Sequence, residues 1–354
     1  MRKQLPKLPA LWLDAQVQPT IYDVAKAAGV AASTVSRTFN RPGRVNEATR
    51  QRVQAAAAEL GYEHSPQNRA LPGGRHRTIA MVLSDITNPH FFELIRGAEQ
   101  RAKASDVTLV IVNAEESQRI EESQVRDLSP TVDGFVLAAS RLSDDALVTL
   151  AEKHRVVLLN RELAGLTSVT MAVATGCQQI LEHLASLGHR SFTYCAGPPG
   201  SWMGAVRWAA LSAGAEEHGL TAHRVGPYTP NVANGGAAAD GALRTGATAI
   251  VAHNDLLAFG VIRRLTQRGI RVPDDVSVVG FDDIFASEFV HPSLTTLGGP
   301  GAHAGRLAVE LLIDQFAGRT TQVAEQVRLP TELVLRESSG PAPHVPPPHL
   351  SASR

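Results

Sequence analysis

The chain has 354 residues, a formal net charge of zero and two cysteines. Two isolated thiols, Cys177 and Cys195, exclude a disulfide framework and read as reduced, buried residues of a cytoplasmic protein. No stretch approaches the ~20 apolar residues of a membrane span, and residues 1–19 lack the unbroken apolar core of a signal peptide.

Residues 1–19 read as a disordered N-terminal extension. The zero balance hides two opposite parts: residues 1–77 carry 12 Lys+Arg against 5 Asp+Glu, and residues 78–354 carry 22 against 29. A basic head on an acidic body is the electrostatic footprint of a nucleic-acid-binding module joined to something else.

Residues 20–64 read as a small all-α headpiece. Ile21, Val24, Ala25 and Ala28 recur at helical spacing after Thr20, and Gly29 ends the run where a left-handed residue is common. A second helix is expected from about Ala32 to Phe39. Val35 and Phe39 face inward, while Ala32, Ser33, Ser36 and Arg37 face outward. Two short helices about a tight turn are how a helix-turn-helix reaches the major groove. Arg37 can bond guanine O6 and N7 together, and the short hydroxyls suit phosphates or adaptable base contacts. The expected DNA-facing set is Thr20, Tyr22, Ala32, Ser33, Thr34, Ser36, Arg37 and Asn40, with Arg69 from the basic segment that follows. A third helix should run from Glu47 to about Leu60, capped by Asn46, with Ala48, Val53, Ala56, Ala57 and Leu60 on its apolar side.

Residues 65–77, SPQNRALPGGRHR, form a basic linker rich in Pro and Gly. From Thr78 the pattern alternates short apolar runs with amphipathic helices, the mark of a parallel α/β fold. Runs at 78–84, 107–114, 134–139 and 156–160 read as strands of one lobe, and runs at 192–197, 249–254 and 277–283 as strands of a second. The lobes are expected to span about 78–173 with 299–326, and 174–298 with 327–340. Ligands of such sheets bind beyond the carboxyl ends of the strands, here between the lobes. Polar residues gather there: Asp85, Asn160, Arg161, Asn254 and Asp282. The Pro-rich residues 341–354 read as a disordered tail.

The run TIYDVAKAAGVAASTVSRTFN, followed by RVNEATRQRVQAAAAELGY, resembles the headpiece of the LacI/GalR family of bacterial transcription regulators. The likeness continues to Ser339. It implies a two-lobed core like that of periplasmic sugar-binding proteins, a homodimer on a near-palindromic operator, and a small-molecule effector in the cleft. The base-reading positions it implies are Ala32, Ser33 and Arg37, and Leu71 matches the leucine that wedges into the minor groove. The ligand positions it implies are Asn88, Phe91, Asn160, Arg161, Trp202, Arg207, Asn254 and Asp282, a set suited to a sugar or polyol. The chain departs from the family at Ala31 (usually serine), in a linker about two residues short with Pro72 after Leu71, at Ala172–Val173 (usually Asp-Asn), and at Ala210 (usually glycine).

The implied function is a sequence-specific transcriptional repressor under effector control, without enzymatic activity, cofactor or metal. His183 and His189 read as structural groups at a helix end. The alternatives are the same fold governed by a protein partner or by no ligand, and a sugar-binding protein without a DNA role.

Overall fold

The structure, a computed structural model, describes residues 21–40, 45–60, 62, 78–318 and 324–344. Two compact units emerge, Met1–His76 and Arg77–Arg354.

The first unit contains α1 (Ile21–Ala28), α2 (Ala32–Asn40) and α3 (Glu47–Glu59). Gly29, at φ +64°, reverses the chain, and the amides of Gly29 and Val30 return to the carbonyls of Lys26 and Ala25. Val24, Ala25, Ala28, Val35, Val53, Ala56 and Ala57 form the core, with Val30, Phe39 and Tyr62 packed against it. Thr38 is also buried, its hydroxyl donating to the Thr34 carbonyl at 2.9 Å. Asn46 caps α3, accepting from the amides of Ala48 and Thr49 at 2.9 and 3.4 Å. Ala48 and Leu60 are exposed instead of lining the apolar side. Ala48 lies about 140° round the helix from Val53, and Leu60 falls past the last turn.

The second unit holds two lobes. In the first, β1 (Thr78–Leu83), α4 (His90–Ala104), β2 (Thr108–Asn113), α5 (Gln118–Leu128), β3 (Gly134–Ala138), α6 (Asp144–Lys153), β4 (Arg155–Leu159) and β5 (Thr167–Met171) follow in order. The second lobe takes α7 (Val173–Ser186), β6 (Ser191–Cys195), α8 (Trp202–Ala215), β7 (Thr221–Val225), α9 (Gly235–Leu243), β8 (Ala249–Ala252), α10 (Asp255–Gln267), β9 (Ser277–Phe281) and β10 (Thr295–Gly298). The chain then returns to the first lobe for α11 (Gly301–Phe316) and β11 (Gln326–Leu329), and ends in the second with β12 (Glu332–Val334).

The sheets have orders β11-β5-β4-β3-β1-β2 and β12-β10-β9-β8-β6-β7. Every pairing is parallel except β10 with β12. Because β11 pairs with β5, the last crossing lies between Leu329 and Glu332 and not at 326/327. In the first lobe one sheet face packs on α4 and α11 and the other on α5 and α6, so the strands are buried on both sides. Helices α4 and α11 approach closely. A Cβ on Gly97 would fall 1.8 Å from the Ala302 carbonyl oxygen, and one on Gly305 would fall 1.9 Å from that of Leu94.

Candidate functional site

In the headpiece, α2 turns Ser33 and Arg37 to solvent, while Ala32 and Thr34 are half-buried. Ser33 and Arg37 are four residues apart and so share one face, opposite the buried Val35 and Thr38. Tyr22 of α1 is 65% exposed. Ala31 has no side-chain acceptor to cap α2, and its carbonyl instead receives the Thr34 and Val35 amides. Thr20, Arg69 and Leu71 lie outside the described residues, as do the linker at 65–77 and the side chains of Ser36 and Asn40.

The second candidate site is the cleft between the lobes of the core. Three of the expected residues meet there. Asn160 follows β4, Asp282 follows β9, and Arg207 projects from α8, all lining one cavity with His90, Met171, Val173, Met203, Phe281 and Leu297. The two sheets share a strand plan, and their polar groups repeat with it. His90 and Arg207 lie on the helix after each lobe's first strand, and Asn160 and Asp282 follow each lobe's fourth. Asn160 and Asp282 both hold positive φ, +57° and +113°, conformations that cost energy outside glycine and gather at binding sites.

The polar groups form a chain across the cleft. Asn160 Nδ2 lies 3.1 Å from His90 Nε2, and His90 Nδ1 lies 3.7 Å from Asp282 Oδ1. Arg207 donates to Asp282 Oδ1 at 3.1 Å and to the His253 carbonyl, and its guanidinium lies 4.4 Å from the centre of the Phe281 ring. Behind it, the His253 Nδ1 and Tyr194 hydroxyl are 3.0 Å apart. Burial, then the guanidiniums of Arg207 and Arg141, push the His253 imidazole well below the ordinary histidine range, so it is neutral. Among the described residues several buried side-chain polar atoms lack a hydrogen-bond partner, and two of them, Asn160 Oδ1 and Arg207 Nε, belong to residues that line this cavity. A polar guest in the cavity would satisfy both. The cavity is about 40 Å³, far below the ~300 Å³ or more of an ordinary ligand pocket.

The other expected contacts are not brought to this cavity. Arg161 turns away, donating to the carbonyls of Ser140 and Leu142 and to Asp144 at 3.0, 2.5 and 2.6 Å. The left-handed turn at Asn160 sends the next side chain into the first lobe. Asn254 caps α10, accepting from the Leu257 amide and donating to the Pro230 carbonyl. Asn88 accepts from the His90 amide. Phe91 is buried in the first lobe's core, and Trp202 packs on the second lobe's core. His90 and Met203, one residue along from Phe91 and Trp202, line the cavity instead. The departure at Ala172–Val173 falls on the first crossing: Val173 opens α7 as a buried apolar wall, where Asp-Asn would have offered polar atoms.

His183 and His189 have structural partners. His183 pairs with Ser339, and His189 with Thr248, Ser277 and the Gly340 carbonyl. Cys177 and Cys195 are free and buried, with burial pushing each thiol up to about 12.

Residues 20–65 match the family model described as bacterial regulatory proteins, lacI family, and residues 181–339 match that of a periplasmic binding protein-like domain. The chain is 32% identical to the HTH-type transcriptional regulator DegA of Bacillus subtilis (strain 168), over 92% of this chain and 99% of DegA. Among solved structures it is similar to a lac repressor dimer bound to operator and the anti-inducer ONPF (TM-score 0.70, 27% identity, 91% of this chain and 99% of that one). A complex of the transcriptional regulator CelR with cellobiose is also similar (TM-score 0.67, 28% identity, 90% and 99%).

Proposed function

The chain belongs to the lacI family of bacterial regulatory proteins, and from that premise we propose how its two sites divide the work of a ligand-controlled transcriptional repressor. The headpiece reads the operator through the outer face of α2, with Arg37 the principal base-reading side chain. Ser33 and Thr34 meet phosphates or the neighbouring base. The cleft of the core takes the effector.

The observation that carries the cleft assignment is the pair of unsatisfied atoms, Asn160 Oδ1 and Arg207 Nε, within a polar chain drawn from both lobes. One waits for a donor and the other for an acceptor. A hydroxylated ligand supplies both, and Asp282 accepts from a further hydroxyl. Met171, Val173, Met203, Phe281 and Leu297 supply the apolar part of the lining, which fits the C–H surface of a sugar or sugar derivative. CelR has a cellobiose complex, which is in line with this class. A ring-sized guest requires the lobes to part, and that movement is what the effector would convert into altered operator affinity. A coupling of ~1–3 kcal/mol is enough.

The reading includes a homodimer formed through the core, since one nine-residue recognition helix has little surface to specify a site and a two-fold pair reads a palindrome. Exposed Phe285 and Phe289, just past Asp282, and exposed Phe92 on α4 supply apolar surface for it. It also includes a cytoplasmic location and no catalysis. No helix among the described residues is long and apolar enough to cross a membrane.

Selection of genomic fragments on the purified protein, then competition with a panel of sugars and sugar phosphates, tests this. A near-palindromic site whose occupancy changes with one compound is the expected result. A site indifferent to every compound rejects the effector reading of the cleft, and no recovered site rejects the repressor.

A further inference from the structure

His90 stands between the two lobes' expected ligand groups, within hydrogen-bond distance of Asn160 and facing Asp282. Its ring belongs to the first lobe, at the start of α4. Nε2 faces the Asn160 amide at 3.1 Å, and Nδ1 faces Asp282 of the second lobe at 3.7 Å. Asn160 and Asp282 are thus occupied by a side chain of the protein itself. The ring lines the same cavity of about 40 Å³ that Asn160 and Asp282 line.

We infer that His90 is a built-in occupant of the cleft, a latch that holds the lobes together and that an effector must displace. This rests on the reading of the cleft as the effector site. Three features fit the role. The ring is not locked in the core: its side chain is 17% exposed and it stands at the first position of α4. Its partners suit a ligand equally well, since a carboxylate and a primary amide bond hydroxyl groups in the same way. Asn160 can also follow the ring. With Nδ2 toward His90 it donates to a bare Nε2, and rotation of the amide turns the unpartnered Oδ1 toward a protonated one. The contact with Asn160 therefore holds whether Nε2 accepts or donates.

A latch of this kind sets affinity and selectivity. Binding is weakened by the fraction of molecules in which the latch is open, so removing it tightens every ligand that does not itself bond to His90. A ligand too short to bond Asn160 and Asp282 together cannot replace what it displaces.

The test uses the full chain with spin labels at Thr149→Cys and Gln267→Cys, one exposed position on each lobe, the native cysteines being buried. Distances are measured without added sugar in the parent, His90→Ala and His90→Gln. His90→Ala is expected to lengthen or broaden the inter-label distance. His90→Gln, which can still bond to Asn160 and Asp282, should stay near the parent and shows that the position tolerates substitution. Titrations with cellobiose and with ribose follow. For a sugar that binds, His90→Ala should bind at least about tenfold tighter than the parent. Identical distance distributions in all three proteins overturn the latch. Weaker sugar binding by His90→Ala also overturns it, because His90 would then be a ligand contact. A shift in distance with neither sugar bound by any variant supports the latch and counts instead against the sugar reading of the cleft.

Discussion

Arg207→Met tests whether the charge pair in the cleft stabilises the core. The substitution keeps most of the side-chain volume and removes the guanidinium. That deletes the 3.1 Å bond to Asp282, the bond to the His253 carbonyl and the contact 4.4 Å above Phe281. The side chains of Arg207 and Asp282 are only 11% and 6% exposed, so water can neither screen the pair nor fully rehydrate the abandoned carboxylate. Breaking such a pair from one side costs about 3–5 kcal/mol. His90 remains beside Asp282, which places the cost at the lower end, about 3 kcal/mol. At about 2–4 °C per kcal/mol for a unit of this size, the core transition should fall by about 6–12 °C. Calorimetry of the full chain without sugar reads it. The double variant Arg207→Met/Asp282→Leu should recover most of the loss, because both charges leave together. A single variant melting within about 2 °C of the parent, or a double variant as unstable as the single, would refute the reasoning.

Arg37→Ala should relax preference at one base pair of each half-site by about 1–3 kcal/mol, and unchanged preferences in a randomised-operator selection would remove it from direct readout. Asn46→Ala deletes both bonds to the first turn of α3 and should destabilise the headpiece by about 1 kcal/mol. Faster amide exchange along α3 is the expected sign, and unaltered exchange would mean that the cap contributes nothing. Glu162, which ties the loop after β4 to β11, is held below the ordinary value of 4.5, first by its hydrogen bonds from Arg328 and then by that from Thr170. A depressed folded-state value stabilises above the unfolded value, and that contribution disappears as pH falls through the folded one. Glu162→Gln should therefore flatten the acid side of the stability profile, and a profile that keeps its slope would assign the acid sensitivity elsewhere.

The strands legible in the sequence were the apolar ones. β1, β2, β3, β4, β6, β8 and β9 read as apolar runs, and all but the edge strand β2 are buried along most of their length. β5 (TSVTM) and β10 (TTLG) are nearly as buried, but their Ser and Thr side chains interrupt the hydrophobic run and conceal them. β7, β11 and β12 are short strands at or near sheet edges, where packing demands less of the side chains. In the cleft, the strand-end groups Asn160 and Asp282 were legible because β-strand ends deliver side chains to a fixed rim. The helix starts were read one residue out of phase: Phe91 for His90, and Trp202 for Met203. At about 100° per residue, a step of one carries a side chain from the cleft into the core. Only the placed helix axis settles that phase, and the larger aromatic is the one the core claims.

The close approach at Gly97 and Gly305 makes α4 and α11 a single girder. Neither backbone can slide or tilt past the other without forcing a carbonyl oxygen into the space of a hydrogen atom. One end of the girder carries His90 into the cleft, and another, at Gly301, directly follows the Gly298–Pro300 link from the second lobe. A pull on the histidine is thus delivered to both helices and to the link at once.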